Sequence, residues 1–233
     1  MSLLFVLAES ALEMIPKEIS KHPSVSQIAK KRGIDLRYQL LDRSYHHRAI
    51  KCLKNPKKRG RPDIIHMTLL DILGTPLNKK GLLKTYIHTT DNHVIEISSK
   101  IRLPRNYNRF VGLIEQLYKL KKVPQDGEFL LSLYKESLEN LINRLKPSRV
   151  FALSTIGKLK RVREIGKMLP KEDKPLIIIG GFPHGHFKKE TLNLADDIIS
   201  IGGEVLDASI VASRIIYEYE VSIGLNQKMG ENM

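Results

Sequence analysis

The short apolar run at residues 177–179 stops at two glycines, and this feature constrains the fold more than any other. The run lacks the polar–apolar alternation of a half-exposed strand, so it predicts a strand that is buried on both faces. A third glycine, Gly185, follows in the same loop. Because glycine has no Cβ, such a loop lets a ligand or another backbone segment come close. In open α/β sheets, ligands bind at this carboxyl edge.

Predicted strands and helices alternate over the last third of the chain, which indicates parallel βαβ units. The predicted elements are strands at 149–153, 176–179 and 198–201 and helices at 159–168, 188–194 and 207–219. Each strand ends in small or polar residues, at 153–157, 180–185 and 201–209. Because adjacent parallel strands end at the same edge, we expect these three loops to lie side by side.

The part of the chain before residue 149 has a mixed pattern. The predicted strands lie at 3–7 and 129–134, with a β-hairpin of 83–88 and 93–97. The predicted helices lie at 9–15, ending at Pro16, at 25–53 with a break near Gly33, at 62–73, at 109–120 and at 138–145. Residues 16–122 hold the hairpin and most basic residues, and we expect them to elaborate an α/β core.

The three loops would form a groove built largely from backbone N–H and C=O groups. Such a groove suits a nucleoside, whose base edge pairs with main chain while apolar side chains cover the ring. The sequence has neither the dinucleotide fingerprint G-x-G-x-x-G nor the P-loop pattern. An uncharged nucleoside cofactor is therefore favoured over a phosphate-rich one. Ordinary tight βα turns are the alternative for one loop, but three in succession favour a ligand site.

The charge of the chain favours a polyanionic partner. Its 233 residues carry a formal net charge of +14, and neutralising phosphates with such a surplus releases counterions. A generally basic proteome or a high-temperature host is the alternative. The charge is clustered at 51–61 and at 100–110, where Tyr107 and Phe110 lie among arginines as candidate stacking faces for unpaired bases. This pattern favours RNA contact.

Arg61 and Asp63 flank Pro62 at the predicted start of a helix. An acidic residue in the first turn is stabilised by the helix dipole, which gives Asp63 a structural role. The same carboxylate could hold the guanidinium of Arg61 in a fixed fork, and a fixed guanidinium is suited to phosphate recognition.

Other classes of site have little support in the sequence. The single Cys52 excludes a disulfide framework within the chain and is expected to be a small core residue. The histidines lack metal-binding spacing, so no metal is expected. No apolar stretch reaches the length of about 18 residues that a membrane span needs, and no signal-peptide pattern opens the chain. We expect a cytoplasmic protein.

Three segments, in this order and spacing, resemble the Nep/Emg family of the SPOUT class, the N1-pseudouridine methyltransferases of ribosome biogenesis. The segments are Arg-Pro-Asp-Ile-Ile-His at 61–66, the arginine stretch at 102–110 and Ile-Gly-Gly-Phe-Pro-His-Gly at 179–185. The resemblance covers nearly the whole chain, which looks most like an archaeal member. It implies one SPOUT-type α/β domain over 1–233, with a parallel sheet and a C-terminal trefoil knot, and a knotted cofactor-binding region at 149–223.

The resemblance further implies S-adenosylmethionine as the cofactor. The family's cofactor positions fall on Thr155, Gly180, Gly185, Ile201, Gly202, Gly203, Glu204, Val205 and Leu206. Arg61 and Asp63 would be the catalytic residues, with Asp63 positioning Arg61 or the target base. RNA would be bound by Arg61, Arg102, Arg105 and Arg109.

The implied substrate is a pseudouridine in a hairpin loop of small-subunit ribosomal RNA, and the implied partners are a second copy of the chain and ribosomal proteins. Transfer of a methyl group from a sulfonium to pseudouridine N1 needs orientation and exclusion of water more than a strong base. Two alternatives stay open: a SPOUT methyltransferase that acts on transfer RNA, and an RNA-binding assembly factor for which methylation is secondary.

Overall fold

The structure is a computed structural model that describes residues 2–33 and 35–225. The strands are β1 (Leu3–Ser10), β2 (Leu83–Thr89), β3 (His93–Ile97), β4 (Lys122–Val123), β5 (Leu131–Lys135), β6 (Arg149–Leu159), β7 (Pro175–Gly180) and β8 (Asp197–Ser200). The helices are α1 (Pro23–Arg32), α2 (Arg43–Ile50), α3 (Pro62–Leu73), α4 (Pro76–Lys79), α5 (Tyr107–Leu120), α6 (Leu138–Leu145), α7 (Val162–Met168), α8 (Lys189–Leu192) and α9 (Ala208–Ser222).

One eight-stranded sheet, in the order β4-β5-β3-β2-β1-β7-β6-β8, forms the centre of the described chain. The strands β2, β1, β7, β6 and β8 are parallel neighbours, which confirms the predicted βαβ units. The predicted hairpin also forms, because β2 pairs with β3 in antiparallel register. Both of its strands lie within the main sheet, which then ends in the antiparallel strands β5 and β4.

The first strand lies in the middle of the sheet, and all eight of its residues are buried. Leu3, Phe5 and Leu7 pack into the cluster that includes apolar side chains of α3, α5 and α9. Leu4 and Val6 point the other way, into the cluster that includes α6. Helices therefore cover both faces of the sheet, and each fully buried Leu, Ile or Phe contributes roughly 1.5–3 kcal/mol.

The predicted helix at 9–15 is wrong, because β1 continues through Ser10 and the next residues are not helical. Pairing on both sides of β1, with β2 and β7, stabilises the extended backbone there. The predicted helical region at 25–53 divides into the separate helices α1 and α2. The predicted strand at 149–153 continues to Leu159, so the helix expected at 159–168 starts later, at Val162. Its first turn is capped because Glu164 accepts a hydrogen bond from the backbone N–H of Arg161 at 2.9 Å.

No helix within residues 2–33 and 35–225 is long and apolar enough to cross a membrane.

Candidate active site

The loops that follow β7 and β8, together with Leu153–Thr155 in the middle of β6, line a single cavity of about 560 Å³. They meet because β6 lies between β7 and β8 in the sheet and is parallel to both strands. All residues predicted as cofactor contacts line this cavity except Gly203, which is exposed outside it. The loops predicted after β7 and β8 are confirmed to lie side by side. The loop predicted at 153–157 is wrong, because pairing with β8 extends β6 through Leu159.

The glycines of the loop after β7 serve different purposes. A Cβ on Gly181 would lie 2.2 Å from Ser10 Oγ and 2.9 Å from Ser10 Cα, so this glycine lets the ends of β7 and β1 pack together. Gly185 has a φ of +88°, a backbone conformation that residues other than glycine rarely adopt. The close approach inferred from the sequence is therefore to another strand at Gly181, whereas Gly185 shapes the cavity wall.

The segment at 201–207, between β8 and α9, is neither helix nor strand. Its backbone groups are therefore not engaged in a regular ladder, and Ser200 Oγ donates to the carbonyl of Gly202 at 2.7 Å to shape the turn. Apolar side chains of Leu153, Ile179 and Ile199 complete the wall. The cavity thus combines main-chain polar groups with apolar side chains, the combination expected for a nucleoside site.

Arg61 and Asp63 reach the same cavity from the start of α3. Arg61 Nε donates to Asp63 Oδ1 at 2.8 Å, and Arg61 Nη2 donates to Asp63 Oδ2 at 2.8 Å. This two-point hydrogen bond is the main cause that raises the pKa of Arg61 above its ordinary value, so the guanidinium stays charged. The predicted fork is present, and both side chains are half-exposed toward the cavity.

The exposed arginines Arg102, Arg105 and Arg109 lie outside the cavity. None of them forms an ion pair with another side chain of the described residues, so their guanidinium groups are available to a ligand. The helix α5 begins at Tyr107, so Arg105 precedes the helix instead of lying on it.

His66 connects this arginine segment to α3. Its Nε2 lies 2.7 Å from the carbonyl oxygen of Pro104, and its ring stacks on that of Phe110 with a centroid distance of 4.4 Å. The helix that carries Arg61 and Asp63 is therefore packed directly against the segment that carries Arg105 and Arg109.

One of the two predicted stacking faces is wrong, whereas Tyr107 is only partly buried. Phe110 is fully buried against His66 and cannot meet an RNA base. The Tyr107 hydroxyl donates to Asp42 Oδ2. Burial is the main cause, and this hydrogen bond the second cause, that raises the pKa of Tyr107 well above its usual range.

Cys52 is exposed, contrary to the core position expected, because it lies beyond the end of α2.

The cavity also contains residues that the sequence did not single out as site residues. They include His184, His186 and Asp207. Their only sequence signal was their position within or directly after the predicted loops. No group of three or more His, Cys, Asp or Glu side chains in the described part of the chain is arranged to hold a metal ion.

Comparison with known proteins agrees with this geometry. The family model described as EMG1/NEP1 methyltransferase matches residues 5–220. The ribosomal RNA small subunit methyltransferase Nep1 of Thermococcus kodakarensis is 41% identical over 220 residues, which cover 94% of this chain and 98% of that protein. The protein of the same name from Pyrobaculum aerophilum is 44% identical over 225 residues, which cover 96% and 100%.

Similarity extends to a solved structure. The crystal structure of Archaeoglobus fulgidus Nep1 bound to S-adenosylhomocysteine matches with a TM-score of 0.85 at 35% sequence identity, and the match covers 96% of this chain and 100% of that one. The chain therefore belongs to the EMG1/NEP1 methyltransferase family.

Proposed function

We propose that this protein transfers a methyl group from S-adenosylmethionine to N1 of a pseudouridine in small-subunit ribosomal RNA. The observation that carries the proposal is one cavity in which the loops after β7 and β8 and the middle of β6 face the Arg61–Asp63 pair. Relatives named as small-subunit ribosomal RNA methyltransferases, and a similar structure bound to S-adenosylhomocysteine, support the class of reaction and the cofactor.

The residues of the cavity fit S-adenosylmethionine. Backbone groups at 201–206 and near Gly180 and Gly185 would bind the adenine edge and the polar tail, while the apolar wall would cover the ring. The carboxylates of Glu204 and Asp207 also line the cavity, which suits a ligand with ribose hydroxyls and a positive centre. When bound, the cofactor supplies the methyl group as part of a sulfonium.

On the substrate side, the arginines would bind and orient the RNA. Arg102, Arg105 and Arg109 would contact phosphates, and Arg61 would orient the extruded nucleotide at the mouth of the cavity. Pseudouridine has a free imide-like nitrogen at N1 that uridine lacks, and methylation there releases a proton. Both oxygens of Asp63 already accept hydrogen bonds from Arg61, so Asp63 acts mainly by fixing Arg61.

A methyl-transfer assay with labelled S-adenosylmethionine tests the proposal. Two ribosomal hairpins should be compared that differ at one loop position, with pseudouridine in one and uridine in the other. We expect methylation of the pseudouridine hairpin only. Equal labelling of both hairpins, or preferred labelling of a transfer RNA stem-loop, would refute the assigned substrate. Absence of cofactor binding in calorimetry would favour the assembly factor that binds RNA without methylating it.

The proposal includes a homodimer, a C-terminal trefoil knot and an RNA-binding role for residues 16–122. The dimer is supported by exposed apolar side chains on one stripe of α9, at Ile210, Tyr217 and Val221. The knot is supported by the tight approach of β6 to β8, since a Cβ on Gly157 would lie 2.5 Å from the backbone nitrogen of Ile199. A ribosomal RNA substrate would also place the protein in the cytoplasm, in contact with ribosomal proteins.

A further inference from the structure

The loop at 181–188, which we call the cofactor loop, is held by a buried carboxylate that belongs to the far end of β1. Glu9 is 2% exposed. Its Oε1 accepts a hydrogen bond from the backbone N–H of Lys188 at 2.7 Å, and its Oε2 accepts one from Lys58 Nζ at 2.9 Å. The carboxylate therefore binds the end of the cofactor loop and a lysine from the basic segment at 51–61.

Lys58 makes further contacts with the cofactor loop. Its ammonium donates to the carbonyl oxygen of His186 and lies 4.0 Å from the centroid of the Phe182 ring. Its Cε would lie 3.4 Å from a Cβ placed on Gly185. Phe182, Gly185 and His186 all line the cavity. One side chain thus contacts the cavity wall at two residues of the loop, Phe182 and His186.

The backbone of Glu9 is unusual in a way that serves these contacts. Its φ of +49° is in the left-handed region, and the pairing register of β1 with β2 shifts between Leu7 and Ser10. A residue other than glycine rarely adopts this conformation, and such strained positions cluster at functional sites. The shift interrupts the regular alternation of β1 at the residue whose carboxylate reaches the cofactor loop.

Stability alone gives a weak reason for this ion pair. In many proteins the desolvation cost of burying two charges is as large as the free energy gained from their attraction. Buried ion pairs therefore more often fix geometry than add stability. The side chain of Lys58 is only 19% exposed, which also leaves it poorly placed to contact RNA phosphates. The role left for Lys58 is to position the cofactor loop.

We propose that Lys58, held by Glu9, is a positioning residue that fixes the cofactor loop in its binding conformation. This inference rests on the proposed function, in which the cavity binds S-adenosylmethionine. It also means that the basic segment at 51–61 contributes to the cofactor site through Lys58, in addition to Arg61 at the cavity mouth.

Calorimetry with S-adenosylhomocysteine at 25 °C on the full chain tests the inference. Lys58→Met keeps much of the side-chain volume and removes the charge. We expect it to weaken binding roughly tenfold, as for loss of a charged hydrogen bond that orders a loop. Lys57→Met makes the same change in charge at an exposed neighbouring position and should leave the affinity unchanged. Thermal unfolding of each variant, measured in parallel, shows that the binding data come from folded protein.

Glu9→Gln provides a second variant in case Lys58→Met does not fold. It keeps an oxygen for the Lys188 N–H but removes the charge that holds Lys58, so it should also weaken binding, and the double variant should be no weaker than Lys58→Met alone. Wild-type affinity in either single variant, or an equal loss in Lys57→Met, would overturn the inference. A wild-type protein that fails to bind S-adenosylhomocysteine would instead refute the proposed function.

Discussion

Arg61 and Asp63 are the two side chains on which the proposed chemistry depends most. Two oxygens of the Asp63 carboxylate hold the Arg61 guanidinium in a fixed plane, and both side chains are half-exposed at the cavity. A carboxylate used in this way orients its partner, and orientation can supply a large share of a methyl transfer that needs no strong base. Asp63 is accordingly a residue that acts on the substrate chiefly through Arg61.

Substitution of Asp63 separates orientation from proton removal. Asp63→Ala should lower the single-turnover methylation rate at saturating RNA by roughly 10–100-fold, because Arg61 loses its fixed geometry. Asp63→Asn should lower the methylation rate by a smaller factor, since the amide oxygen still accepts a hydrogen bond from Arg61. Equal losses in the two variants would indicate a general base, and a near-normal rate in Asp63→Ala would refute both roles.

Gly157 provides a test of the close approach between β6 and β8. A Cβ there would lie 2.5 Å from the backbone nitrogen of Ile199, which cannot rotate away. Gly157→Ala should lower the free energy of unfolding in denaturant by roughly 1–3 kcal/mol. Gly112→Ala is the matched control, because nothing lies within 4 Å of its added Cβ on α5. The control should be neutral or stabilising by about 1 kcal/mol, and similar losses in both variants would contradict the tight approach of the two strands at Gly157.

At the level of elements, α3 links the cavity to the exposed arginines. Its first turn carries Asp63, and His66 one turn later packs against Pro104 and Phe110. A nucleotide inserted beside Arg61 would therefore leave its flanking phosphates near the segment at 102–109. The two surfaces share an element but use different residues, so RNA affinity and cofactor affinity should respond to different substitutions.

Arg105→Ala tests this division. It should weaken hairpin binding and reduce the slope of log affinity against log salt by about 0.7–1, because one phosphate contact is lost. Affinity for S-adenosylhomocysteine should stay at the wild-type value. Lys84→Ala, at an exposed position of β2, is the control and should change neither quantity. A loss of cofactor affinity in Arg105→Ala would show that the two surfaces are assigned wrongly.

Some elements could be predicted from the sequence because their signals are local. The strand β7 is an apolar run that ends at glycines, and α6 matches its predicted range of 138–145. The helix predicted at 9–15 failed because pairing of β1 with strands far along the chain overrides the local pattern. Phe110 was wrongly predicted to stack on RNA bases. Its helical spacing with Val111, Ile114 and Leu117 indicates instead that it lies on the buried face of α5, as the structure shows.

The same reasoning applies to the site. The loops after β7 and β8 could be predicted because each follows a recognisable strand, and Asp63 lies two residues from Arg61. The contact between Glu9 and Lys58 joins residues 49 positions apart. No periodicity relates them, and their contact depends on where β1 and the basic segment meet in the folded chain. Such contacts become visible only in the structure.

For the molecule as a whole, the exposed apolar stripe on α9 predicts self-association. Tyr217 is 58% exposed on this stripe between Ile210 and Val221, and neighbouring exposed apolar side chains of this kind mark interaction surfaces. Tyr217→Glu should convert the dimer into a monomer in sedimentation velocity, because a charge would be buried at the interface. Tyr217→Phe keeps the ring and should remain dimeric. A wild-type monomer, or a dimer that persists in Tyr217→Glu, would contradict the proposed interface.

A crystal structure of the protein in complex with S-adenosylhomocysteine tests the central claim most directly. The claim is that the middle of β6 and the loops after β7 and β8 form the methyl-donor site and that Arg61 and Asp63 face the reacting atom. We predict density for the ligand inside this cavity, with its base against the backbone of 201–206 and its sulfur turned toward Arg61. Density at another place, or a sulfur that faces away from the Arg61–Asp63 pair, would contradict it.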